Sequence, residues 1–83
     1  MEYTLSTHAK EKIEKRKIPL ELIDKVLFHP EQTIEQDEIT IYQSIFEIDN
    51  KEYILRVFVN TYIIPNLIVT VYLTNKISKY WRA

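Results

Sequence analysis

Near Thr33 the spacing of apolar residues changes from helical to alternating, and this change of period constrains the fold more than any other feature of the chain. Upstream, Ser6 is a good N-cap, and Leu5, Ala9 and Ile13 follow at helical spacing, which predicts a helix to about Lys17. Residues 10–17 are almost all charged, so that helix has a narrow apolar stripe and lies on the outside. Pro19 suits the first turn of a second helix, whose Leu22, Ile23, Val26 and Leu27 make a broad buried face, and Phe28 and His29 before Pro30 mark its end. Downstream, residues 39–48, 52–59 and 67–73 are rich in β-branched and aromatic types and predict three strands, with a weaker one at 32–36.

Asp49 and Asn50 are the natural hairpin turn, because both types tolerate positive φ better than other non-glycine residues. A two-residue turn there sets Phe46 opposite Tyr53, Ser44 opposite Leu55 and Tyr42 opposite Val57 on one face, with Ile45 opposite Ile54 and Gln43 opposite Arg56 on the other. Leu67, Val69 and Val71 are expected to join Leu55 and Val57 beneath the helices, leaving Gln43, Arg56, Thr70 and Tyr72 on an open face. The expected fold is α+β: two N-terminal helices packed on one face of a twisted antiparallel sheet of three to four strands, in a single domain over residues 1–83.

At 83 residues there is room for one core, so any site sits at the surface. The chain has no cysteine, which excludes disulfides, thiolate metal sites and a thiol nucleophile, and no glycine, which excludes the Gly-rich cradles that bind nucleotide phosphates. Two distant histidines and no carboxylate cluster on the candidate face make no case for a metal, and no cofactor is expected. The start of the chain lacks the apolar region of a signal peptide, and no apolar run approaches the roughly 20 residues that span a bilayer. A cytoplasmic location without a membrane partner is the expectation.

The formal charge of -1 hides a segregation. Residues 1–30 hold six Lys/Arg against five Asp/Glu, residues 31–52 one against seven, and residues 53–83 four against none. The basic C-terminal third can meet a polyanion locally, or the two blocks can neutralise each other across strands. Within that third, Arg56 interrupts a strand, and a guanidinium there is either paired with a carboxylate such as Glu47 or used to clamp a ligand phosphate. His8, in the first turn of the first helix, is placed to stay neutral and accept a proton; Lys12 and Lys15 lie within about 40 degrees of it around the helix. A surface contact is the plainer role for His8. Tyr72 and the tail Lys79-Tyr80-Trp81-Arg82 combine aromatic rings with cations, as single-stranded nucleic acid requires, although the tail can equally pack Trp81 to close a core.

The pattern Ser6-x-His8-Ala9-x-x-x-Ile13-x-x-Arg16-x-Ile18, then Pro30, then Leu67-Ile68-Val69-Thr70-Val71-Tyr72 and Lys79-Tyr80, resembles the small DUF4258 family, a branch of the RelE/ParE-like toxin superfamily. The resemblance covers nearly the whole chain and implies a RelE/ParE-like fold and a toxin partnered by an antitoxin protein. It also implies a metal-independent ribonuclease acting on RNA, as in the RelE-like relatives. The matched polar positions are His8, Arg16, Tyr72, Lys79 and Tyr80. Family members usually have Gly where this chain has Lys17 and Asn50, and RelE-like ribonucleases tend to be basic, which this chain is not. The candidate catalytic set is His8, Arg56 and Tyr72, with Lys12, Arg16, Gln43, Lys76, Lys79 and Tyr80 as substrate-binding residues. Two rivals share the fold: a non-catalytic interaction module that binds an antitoxin or forms a homo-oligomer through a sheet edge, and a poison of another target such as a topoisomerase.

Overall fold

A computed structural model describes residues 2–83. The order of elements is β1 (Tyr3–Leu5), α1 (Thr7–Arg16), α2 (Leu20–Phe28), β2 (Gln32–Gln36), β3 (Ile39–Ile48), β4 (Lys51–Asn60), β5 (Asn66–Thr74) and α3 (Ile77–Tyr80). The fold is α+β. Its sheet has five strands in the order β1-β5-β4-β3-β2, so the expectation of three to four antiparallel strands is corrected by one strand and one direction. The additional strand is β1, which runs parallel to β5 with Thr4 beside Leu67. Three residues paired to a partner more than sixty positions away leave no local pattern, which is why periodicity did not reveal it.

Ser6 joins β1 to α1 and fastens both to the sheet. Its Oγ accepts from the Ala9 N–H at 3.0 Å and donates to the Val69 carbonyl at 2.7 Å, while its own N–H donates to the Ile68 carbonyl at 3.0 Å. One side chain thereby caps a helix and ties its first turn to β5. At the other end Lys17 takes the left-handed conformation (φ 53°, ψ 47°), its N–H reaching the Glu14 carbonyl and the Ile18 N–H reaching the Ile13 carbonyl. That is a Schellman motif built without glycine, and it turns Ile18 inward, where it is buried. Helix α2 starts after Pro19 and presents Ile23, Val26 and Leu27 to the core.

The β3–β4 register matches the expected one throughout: Phe46 opposes Tyr53, Ser44 opposes Leu55, and Gln43 opposes Arg56. Asp49 and Asn50 both have positive φ, 50° and 66°, as a type I′ turn requires. The β4–β5 pairing differs from expectation. A bulge between Phe58 and Val59 shifts the register, so that Val59 opposes Ile68. Ile68, not Leu67 or Val69, therefore lies in the core with Val71, Leu55, Val57 and the buried residues of α1 and α2.

The second face is not open. Residues 77–82, read from sequence as a tail, form the short α3 and a following extended segment that crosses the sheet on the side opposite α1 and α2. Ile41, Gln43 and Ile54 on this face are fully or almost fully buried. An apolar strand position facing away from one core is stable only when something covers it; here the C-terminal strap does so.

Lys17→Gly is expected to stabilise the domain by about 0.5–1 kcal/mol, since it removes the Cβ penalty of the left-handed position less the added entropy of glycine. Thermal unfolding should show the midpoint rising by several degrees for Lys17→Gly and falling for Lys17→Val. A fall for both would mean that the Lys17 side chain itself holds the cap.

Candidate functional site

The sheet pairings place four polar residues in one row across four strands. Gln32 on β2 opposes Gln43 on β3, Gln43 opposes Arg56 on β4, and Arg56 opposes Tyr72 on β5. Alternation of side chains puts all four on the face away from α1 and α2, because Leu55, Val57 and Val71 on either side of them point to the helices. The strap lies over this row.

Gln43 organises it. Its side chain is fully buried and uses both amide protons and its carbonyl oxygen. Nε2 donates to Gln32 Oε1 at 2.7 Å and to the Tyr80 carbonyl at 3.1 Å, and Oε1 accepts from Arg56 Nε at 2.9 Å. Gln32 continues the chain outward: its Oε1 accepts from the Arg82 N–H at 3.1 Å, and its Nε2 donates to the Arg82 carbonyl. Two glutamines thus bind the backbone of the strap at Tyr80 and Arg82. Expected as a substrate-binding residue, Gln43 has its hydrogen-bonding groups engaged within the protein and acts as a support for Arg56.

The Arg56 guanidinium lies 4.4 Å from the Tyr80 ring centroid and 5.2 Å from that of Phe58. Its hydrogen-bond partner is a neutral amide, so the alternative in which Glu47 pairs with it does not describe this structure. Among the described residues the two Nη groups make no protein hydrogen bond and remain available to an acceptor. Burial lowers the Arg56 pKa from its ordinary value, as does Arg82, while Tyr80 and Tyr72 oppose that shift. A group with so high an ordinary pKa stays charged at neutral pH.

Tyr72 meets Tyr80 edge to face, with ring centroids 5.6 Å apart. Its phenol is held below the usual value first by the neighbouring polar groups of Tyr80 and Thr74 and also by the charges of Lys79 and Lys76, while burial opposes the shift. Lys79 Nζ stands 5.5 Å from the centroid of the Tyr80 ring. Arg56, Tyr72, Tyr80, Lys79, Lys76 and Arg82 therefore form one cationic and aromatic surface, with a phenol of lowered pKa beside an arginine.

The structure does not bring His8, Lys12 and Arg16 to this surface. All three are on α1, which packs through Ala9 and Ile13 on the opposite face of the sheet, so the sheet separates them from Arg56 and Tyr72. Sequence reasoning missed Gln32, whose role depends on the β2–β3 register; the turn at Asp37 and Glu38 was the signal that could have found it. Among the described residues no group of three or more His, Asp or Glu converges as a metal site, and no helix is long and apolar enough to cross a membrane.

Comparisons with protein-family models, with curated proteins and with solved structures give no match, so the family resemblance rests on the quoted residues and the site on its own chemistry.

Gln43→Leu keeps the volume but removes three hydrogen bonds, leaving the Arg56 Nε and the Tyr80 carbonyl without partners. A loss of about 1–3 kcal/mol is expected, with earlier amide exchange of residues 77–82 than of the α1 amides. Unchanged protection of the strap would show that Gln43 does not fasten it. Ultraviolet titration of the tyrosines should resolve two displaced steps. One, below the usual 10, belongs to Tyr72; the other, at about 12, belongs to Tyr3, which is raised by burial and by its 2.7 Å hydrogen bond to Asp24 Oδ1. For Tyr3 the folded pKa exceeds the unfolded one, so its stabilisation is complete below pH 10 and is lost as pH rises through about 12. Tyr3→Phe should delete the upper step and Tyr72→Phe the lower.

Proposed function

We propose that this chain is the toxin component of a toxin–antitoxin pair, with a RelE/ParE-like fold, and that it cleaves RNA in the cytoplasm through the strap-side face. The observation that carries the reading is Arg56: a guanidinium held by a neutral amide, flanked by two aromatic rings, with no hydrogen bond from either Nη group among the described residues and no acid in the C-terminal third of the sequence. Such a group binds a phosphodiester without first breaking an ion pair.

Of the two proton-transfer candidates, only Tyr72 shares this face, so it replaces His8 in the mechanism. Ionised Tyr72 takes the proton of the RNA 2′-OH as that oxygen attacks the adjacent phosphorus. Arg56 stabilises the charge developing on the phosphoryl oxygens, and the departing 5′-oxygen takes a proton from Lys79 or solvent. Lys76, Lys79 and Arg82 supply the local field that a protein of formal charge -1 lacks as a whole. Tyr80 offers an aromatic surface beside the phosphate site.

Purified protein should cleave RNA in the presence of a chelator, with a rate that rises with pH as Tyr72 ionises and a midpoint displaced downward from that of an ordinary tyrosine. Arg56→Ala and Tyr72→Phe should each lower the rate about 100-fold. Equal rates for the variants and the parent would remove these residues from the mechanism. Absence of cleavage by any of them would favour the second reading, an interaction module, for which the exposed apolar residues Tyr62, Ile63 and Ile64 are the specific observation.

A further inference from the structure

The far corner of the sheet carries a second surface, made of three features that the Arg56 face does not use. The outer edge of β2 is unpaired among the described residues, because β2 ends the strand order. The loop between β4 and β5 exposes Tyr62 at 72%, Ile63 at 44% and Ile64 at 96%. Between that loop and the β2–β3 hairpin is a depression of about 70 Å³ lined by Glu35, Asp37, Glu38, Thr40, Thr61 and Tyr62. Glu35 opposes Thr40 in register, and both alternate with Ile34 and Ile41, so the depression opens on the helix side, away from Arg56.

A free edge and an exposed apolar loop call for an occupant, and the charge selects which one. A second copy pairing β2 with β2 would bring Glu31, Glu35, Asp37 and Glu38 against the same four acids, and like charges across strands are destabilising. RNA phosphates and an anionic lipid surface are repelled in the same way. A cationic segment of another protein is attracted.

We propose that this corner docks an extended, cationic segment of a partner protein, which adds a strand to β2. Its basic side chains lie over Glu35 and the depression on the helix side, its apolar ones alternate to the Ile34 side, and the residues that run past the β2–β3 hairpin pack on Tyr62 and Ile64. Backbone pairing supplies the attachment, the acids set the register, and the loop buries the apolar positions. The surface is separate from the phosphate-binding face, and the proposal does not depend on ribonuclease activity.

The test uses the full chain to select binders from a display library of short random peptides. The expected binders alternate Lys or Arg with branched or aromatic residues and carry net positive charge. Their affinity should fall about tenfold for the E35K/E38K double variant and for Ile64→Ser, and should also fall between about 50 and 300 mM salt. Circular dichroism checks that both variants are folded. No enrichment, enrichment of neutral or acidic peptides, or equal binding to E35K/E38K would overturn the proposal. So would a dimer of the free chain in sedimentation that Ile64→Ser dissociates, since it would assign the corner to a second copy. RNA cleavage by E35K/E38K at the parental rate, alongside lost peptide binding, would separate this surface from the Arg56 face.

Discussion

The second face of the sheet depends on a neutral side chain in a place where a charge would be natural. Gln43 is fully buried between a guanidinium and a backbone carbonyl, and it satisfies both. Glutamate at this position would pair with Arg56 and cancel its charge, and it could no longer donate to Tyr80 or Gln32. Leucine would pack but leave buried polar groups unpaired. Only an amide fixes the strap and the arginine together while leaving the arginine's charge uncompensated. The cluster of Arg56, Tyr72 and Tyr80 follows from that choice.

The strap also changes the balance of the core. A five-stranded sheet covered by two short helices on one side alone would expose Ile41 and Ile54; folding residues 77–82 across the other side buries them. The same segment carries Lys79, Tyr80 and Arg82, so one element closes the second apolar layer and supplies the cations of the candidate site. The near-zero charge then resolves into two fields, a basic one on the strap face and an acidic one at the β2–β3 corner. Each suits a different partner, and the sheet keeps them apart.

Much of the fold was legible because its signals are local. Ser6 as a cap, the broad face of α2 and the Asp49-Asn50 turn each act within a few residues, and once that turn is set the whole β3–β4 register follows, including Gln43 opposite Arg56. The turns also show how a chain without glycine manages positive φ: Lys17, Asp37, Asp49 and Asn50 occupy it, three of them Asp or Asn. What was not legible involves partners remote in sequence. The β1–β5 pairing, the bulge that puts Ile68 into the core in place of Val69, and the return of the strap all depend on contacts between distant segments.

The candidate site divides along the same line. Alternation alone set Arg56 on the strand face opposite Leu55 and Val57 and Tyr72 on the face opposite Val71, and composition alone gathered the basic residues in the C-terminal third, because both are properties of the chain itself. That the helices cover the other face is decided by packing. Whether His8, Lys12 and Arg16 join them could only be decided by the packing of α1, which set them behind the sheet. Tertiary structure alone decided that Gln43 is a buried support and that Tyr80 covers Arg56. A hydrogen bond or an aromatic contact between segments some 25 to 40 residues apart has no periodicity to announce it, and exists only once the chain has closed on itself.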